Sequence, residues 1–84
     1  MNNNLVTLTE YIIKKLVVDE DSVSVKEFEN DDENVIQIEV LISKNDMARV
    51  IGRNGRNINA IRTIVQASSS ISDGKKININ VDSY

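Results

Sequence analysis

Apolar residues along this chain fall into two alternating rhythms, and the change from one to the other marks its elements. Leu5, Leu8, Ile12 and Leu16 recur at spacings of three and four, widened by Ile13 and Val17, which predicts an amphipathic helix over roughly 5–18. Asn4 or Thr7 is placed to cap it, and Thr7 with Glu10 fits a capping box. After the acidic turn 19–22 the period drops to two. Val23 and Val25 alternate with Ser24 and Lys26, and Phe28 falls out of phase, which predicts a bulge or the end of the buried stretch. The polar run 30–34 reads as a solvated hairpin loop. Ile36, Ile38, Val40 and Ile42 then form the clearest strand of the chain. Ser43 with Asp46 opens a short helix carrying Met47, Val50 and Ile51. A longer helix follows over about 56–70, with Ile58, Ala60, Ile61, Ile64, Val65 and Ala67 as its apolar residues. Asp73-Gly74 marks a turn, and Ile77, Ile79 and Val81 alternate in a last strand. The order αββααβ predicts an α+β domain, a three-stranded sheet with three helices on one face. Ser24, Lys26, Gln37, Glu39, Asn78 and Asn80 would form its open face.

The candidate chemistry sits between the last two helices, in Val50-Ile51-Gly52-Arg53-Asn54-Gly55-Arg56-Asn57-Ile58. Glycine takes positive φ freely, so two glycines around two polar residues make a tight turn poor in side chains. That turn ends at a helix N-terminus, where unpaired N–H groups and the helix dipole favour an anion. Arg49, Arg53, Arg56 and Arg62 surround it, and no Asp or Glu occurs between Met47 and Ser72. The stretch reads as a phosphate cradle.

The pattern I-G-x-x-G-x-x-I between two helices resembles the signature loop of the KH domain, a single-stranded nucleic-acid module whose GxxG loop clamps four backbone nucleotides. The resemblance covers nearly the whole chain, 1–84, and is nearest to the small bacterial single-KH proteins of the KhpA or YlqC family. It implies a type II KH fold and a Gly52–Gly55 loop holding the sugar-phosphate backbone of single-stranded RNA. Arg53 and Arg56 would supply charge, with Arg49, Asn54 and Asn57 beside them. Bases would lie between the two helices and the strand 36–42, against Val50, Ile51 and Ile58, and Arg62 either reaches the strand or remains in solvent. The resemblance also implies a homodimer, or a heterodimer with the larger multi-domain KH protein KhpB (Jag). An RNA chaperone or post-transcriptional regulator linked to cell-envelope growth is the implied role.

Composition narrows the alternatives. A chain of 84 residues suits one domain. It has no Cys and no His, which removes disulfides, thiolate metal sites and the usual general base. No cofactor is expected, and no nucleophile–base pair emerges, so an enzyme is not expected either. Apolar runs are too short to span a membrane and the start lacks the features of a signal peptide, which makes the cytoplasm the expected location. The formal charge of −3 is unevenly spread. Residues 1–42 carry three Lys against ten acids, and residues 43–84 seven Lys and Arg against three acids. A focused site rather than general polyanion binding is expected, because affinity follows local phosphate contacts.

Other readings of the loop fare worse. Asn54-Gly55 is a hairpin-turn signal, but its flanks do not alternate. A plain helical hairpin explains Gly52 as a C-cap yet not the second glycine or the two cations. The Lys-Ser/Thr of a P-loop and the first glycine of the dinucleotide fingerprint are missing. A helix-turn-helix reader needs a broad polar recognition face, and here only Asn59, Arg62, Thr63 and Gln66 are available. An RRM needs aromatic platforms, and the chain has only Tyr11, Phe28 and Tyr84. A reading of a different class comes from the long helix, whose apolar arc is wider than one core contact requires. The surplus marks a protein-interaction subunit.

Overall fold

In the computed structural model, which describes residues 3–72 and 74–84, six elements follow in the order αββααβ. Helix α1 (Asn3–Leu16) leads to strands β1 (Ser24–Phe28) and β2 (Val35–Ile42). Helices α2 (Met47–Ile51) and α3 (Arg56–Ser72) flank the glycine turn, and strand β3 (Lys76–Ser83) ends the fold. The sheet order is β1-β2-β3, with β2 antiparallel to β1 and parallel to β3. The sheet is therefore mixed, and the helical pair forms the crossover that a parallel neighbour requires.

Strand β2 is central, and its inward residues Ile36, Ile38, Val40 and Ile42 are all buried. They meet Leu5 and Ile13 of α1, Val50 of α2, Ile58, Ile61 and Val65 of α3, and Ile77 and Ile79 of β3 in one core. At about 25 cal/mol per Å² of apolar surface, such aliphatic burial is the main favourable term in a chain of this size. The opposite face carries the rows Lys26–Glu39–Asn80 and Phe28–Gln37–Asn78, as the alternation predicts. Strand β1 ends at Phe28 in unbroken register, so there is no bulge, and Phe28 lies half-exposed on the open face.

Several local expectations change. Helix α1 begins at Asn3, so Thr7 lies inside it, as does Asn4, and the capping box does not form. The buried line of α1 is Leu5–Thr9–Ile13, with the Thr9 hydroxyl donating to the Leu5 carbonyl at 2.7 Å. Asp46 does not close a capping box with Ser43. Its carboxylate accepts instead from the Val18 and Asp19 amides, at 3.0 and 3.1 Å. Helix α3 runs to Ser72, and its buried line is Ile58, Ile61, Val65 and Ser69. Gly74 stops it with φ +71° and an N–H bond to the Ser69 carbonyl, whereas Asp73 lies outside the described residues.

Candidate nucleic-acid interface

The turn between α2 and α3 owes its shape to three residues with positive φ. Gly52 has φ 76° and ψ 171°, Asn54 has φ 57° and Gly55 has φ 75°. Gly52 ends α2 through its N–H bond to the Ala48 carbonyl. A Cβ on Gly52 would stand 2.7 Å from Asn57 Cγ and 2.9 Å from the Asn57 main-chain nitrogen, so position 52 excludes a side chain on space as well as on φ. A Cβ on Gly55 would meet nothing nearer than 3.7 Å. Among the described residues Asn54 is the one non-glycine with positive φ, and Asn tolerates that region better than most.

The Asn57 side chain braces the turn from beneath, donating from Nδ2 to the Arg49 carbonyl at 2.7 Å. Its amide thereby satisfies one of the open carbonyls at the end of α2. The Gly55 N–H bonds the Gly52 carbonyl and the Arg56 N–H bonds the Arg53 carbonyl. Two amides expected to face a ligand are therefore used inside the turn. Arg53 and Arg56 are exposed and have no ion-pair partner among the described residues. Arg49, exposed at its tip, has its Nε 3.7 Å from Asp46 Oδ1. Asp46 itself is buried, and the Val18 and Asp19 amides hold its carboxyl below the ordinary carboxylate value, with Arg49 helping and burial opposing. It ties the α1–β1 turn to the start of α2.

Of the sequence-predicted residues, Gly52, Arg53, Asn54, Gly55 and Arg56 share one protruding turn, with Arg49 and Asn57 on its flanks. Val50 is fully buried and Ile58 nearly so, and both hold the helices onto the core from below. Ile51 alone of the three apolar residues is partly accessible. The strand 36–42, expected to border the bases, has no open edge. Strand β2 is central and paired on both sides, and α3 packs against β3. Arg62 remains exposed and reaches β3 rather than the strand 36–42: its Nε and Nη2 donate to the Ile79 carbonyl at 3.3 and 3.0 Å, and its Nη1 to Asn59 Oδ1 at 3.3 Å.

Gln66 completes this contact in a way the sequence did not flag. Its Oε1 accepts from the Ile77 N–H at 2.8 Å and its Nε2 donates to the Lys75 carbonyl at 3.0 Å. Lys76 and Tyr84 direct their N–H groups to β2, so the alternation turns Ile77 and Ile79 to the open edge. Gln66 and Arg62 thus occupy main-chain groups that a fourth strand would otherwise take. Among the described residues no helix is long and apolar enough to cross a membrane, and no three His, Cys, Asp or Glu side chains converge on a common point.

The fold and this turn define a KH-type domain, and comparison with known proteins narrows the class. The family model described as KhpA/KhpB, KH domain matches residues 6–81. RNA-binding protein KhpA of Clostridium perfringens is 36% identical over 74 residues, covering 88% of this chain and 95% of that protein. KhpA of Borreliella burgdorferi is 36% identical over 67 residues, covering 80% and 79%, and that of Streptococcus pneumoniae 37% identical over 71, covering 84% and 85%. Among solved structures, Era of Aquifex aeolicus bound to GDP and AlF4− superposes with a TM-score of 0.69 at 18% identity. The match covers 95% of this chain and 30% of that one, and at this identity it shows the fold alone. Era in complex with MgGDPNP and nucleotides 1506–1542 of 16S ribosomal RNA superposes equally well, covering 94% of this chain and 29% of that one. The chain belongs to the KhpA/KhpB KH-domain family.

Proposed function

We propose that this protein binds single-stranded RNA, gripping the sugar-phosphate backbone across the turn 52–55. The observation that carries this reading is the pairing of two exposed cations, Arg53 and Arg56, unpaired among the described residues, with a turn in which Gly52 leaves no room for a side chain. A backbone can approach such a turn closely and find charge on both sides of it. The name of the relatives, RNA-binding protein KhpA, supports the same ligand. Because Gly55 and Arg56 spend their amides within the turn, the guanidinium groups carry most of the grip. Bases then follow the groove between α3 and β3, where Ile51 offers apolar surface and Arg62 charge. Few side-chain forks line that groove, so sequence choice is weak, which suits an RNA chaperone or post-transcriptional regulator.

The test is to change Arg53 and Asn54 together to Asp. Both are exposed at the tip, where substitutions typically stay within about ±0.5 kcal/mol, so the fold survives. RNA affinity falls at least tenfold, about 1.4 kcal/mol. Replacing Asp31 and Asp32 with Asn leaves it equal or slightly higher. A folded double-aspartate variant that binds RNA undiminished overturns the reading.

A second reading, association through α3, is favoured by one observation. Ala60, Ile64, Ala67 and Ile71 lie exposed at spacings of four, three and four, with Ile64 at 49% and Ile71 at 88% exposure. Those spacings form a single apolar seam on the side of α3 away from the core. A second copy, or a KhpB-type partner as the family's name suggests, would cover it.

A further inference from the structure

Among the described residues Asp46 is the one buried carboxylate, and it lies at the start of α2. Its two oxygens accept from the Val18 and Asp19 amides at 3.0 and 3.1 Å, and Oδ1 also stands 3.7 Å from Arg49 Nε. We propose that Asp46 is a positioning residue for RNA, which fixes the Arg49 guanidinium as a third phosphate contact beside the glycine turn; the proposal rests on the RNA-binding reading above.

The pair is asymmetric. The side chain of Asp46 is 3% exposed and that of Arg49 is 60% exposed. Both Asp46 oxygens are bonded to main chain of a distant segment, so the carboxylate is a fixed anchor. The cation that faces it stands in solvent. A rigid buried anchor behind an exposed cation orients that cation toward something outside the protein.

Arg49 also has donors to spare. Nε is the edge of the guanidinium that faces Asp46, and the four donors on Nη1 and Nη2 have no partner among the described residues. A planar fork held by one edge presents the other at little ordering cost, and a phosphate accepts two parallel N–H bonds from it. Arg53 and Arg56 have no ion-pair anchor among the described residues, so each loses rotamer freedom when it grips a phosphate.

Hydrogen bonds join this pair to the turn. The Arg49 carbonyl accepts from Asn57 Nδ2 at 2.7 Å, and the Ala48 carbonyl from the Gly52 N–H at 2.9 Å. The main chain that carries Arg49 is therefore tied to the turn and to the start of α3. Helix α2 is five residues long, about 7.5 Å at 1.5 Å per residue, so Asp46, Arg49 and the turn form one compact unit. A strand whose phosphates rest on Arg53 and Arg56 has Arg49 within reach of its next phosphate.

The sign of the effect separates positioning from plain electrostatics. A carboxylate beside a phosphate site repels the ligand, so removing its charge would strengthen binding if proximity were all that mattered. Positioning predicts the reverse.

The experiment titrates a fluorescence-labelled oligouridylate of six nucleotides with the wild type, R49Q, R49K, D46N and D46N/R49Q, each at a temperature where its far-UV spectrum is that of the wild type. R49Q binds about fivefold more weakly, the upper end for one exposed ion pair. Its slope of log K against log salt changes from near −2 to about −1.4, the loss of one contact at ~0.7. R49K keeps the charge without the fork, so it keeps the slope and only part of the affinity. D46N weakens binding in the wild-type background but not in R49Q. Wild-type affinity of R49Q or R49K, unchanged or tighter binding by D46N, or an equal loss from D46N in both backgrounds overturns the proposal. If D46N does not hold its fold, the comparison of R49K with R49Q decides alone. Each of these results leaves the turn's own role standing, whereas undiminished binding by R53D/N54D removes that reading itself.

Discussion

The side-chain amide of Asn57 donates to the main-chain carbonyl of Arg49 across the glycine turn, at 2.7 Å, and joins the end of one helix to the start of the next. Replacing Asn57 by Ala removes this brace at about 0.5–1.5 kcal/mol, and by Asp sets a carboxylate against a carbonyl beside the phosphate site. Melting midpoints therefore fall from wild type to N57A to N57D, and RNA affinity falls in the same order with a larger last step. An N57A variant that melts and binds as the wild type shows the brace to be dispensable.

The two glycines have unequal tolerance. Gly52→Ala meets Asn57 at 2.7–2.9 Å and also takes a residue with a Cβ into positive φ, worth at least ~1–2 kcal/mol. For a domain of this size that lowers the melting midpoint by about 4–8 °C per kcal/mol. Gly55→Asn has space for its Cβ and a residue type that accepts φ 75°, so it stays within a few degrees of wild type. Calorimetry of the two variants checks the order, and equal losses would contradict it.

Salt reports on how many phosphates are held. Arg53, Arg56 and one further cation neutralise about three, which gives log K against log salt a slope near −2 at ~0.7 per contact. A slope near zero excludes the cradle, and one near −6 requires a surface much larger than this turn. Duplex DNA binds more weakly than single-stranded RNA under the same conditions.

Acid acts on Asp46. Its carboxyl titrates below the ordinary value when folded, so the stability it contributes is present above the unfolded pKa of about 3.9 and is lost as pH falls through the lower folded value. Protonation turns one of the two oxygens that accept from the Val18 and Asp19 amides into a hydroxyl and removes the charge from both bonds. Asp46→Asn offers one acceptor to two donors at every pH. The variant melts lower at neutral pH, and the drop in melting midpoint below pH 4 shrinks. An unchanged acid limb would assign that drop to other carboxylates.

On the exposed seam of α3, Ile64→Lys costs little fold stability because the side chain is already half in solvent. If the seam is covered by a second copy, the mass in solution falls toward that of the monomer. Wholesale loss of the far-UV spectrum would instead make Ile64 a core residue.

Much of this was legible in the chain itself, and the exceptions share a cause. The period-two strands, the glycine turn and the polar open face follow from local pattern, because burial of one face writes itself into side-chain alternation. Asp46 was read as a capping residue because Ser43 stands three positions before it. Its real partners, the Val18 and Asp19 amides, lie 28 and 27 positions away, beyond any local pattern. Thr9 and Ser69 sit in the core because each hydroxyl reaches a carbonyl, which polarity alone conceals. Strand order, which leaves β3 and not 36–42 with an open edge, is set by the crossover and leaves no trace in the alternation.

The parallel pairing of β2 with β3 also constrains the order in which the molecule assembles. Each of its rungs joins residues on opposite sides of the helical crossover, whereas the β1–β2 hairpin closes over a short loop. Closing the long loop before any contact repays it is slow, so the hairpin forms early and β3 docks late. The turn between α2 and α3 lies inside that loop and is braced locally by Asn57, whereas Arg62 and Gln66 find their main-chain partners only as β3 arrives. A nascent chain therefore presents its glycine turn and the cations beside it before β3 is in place for Arg62 and Gln66 to meet.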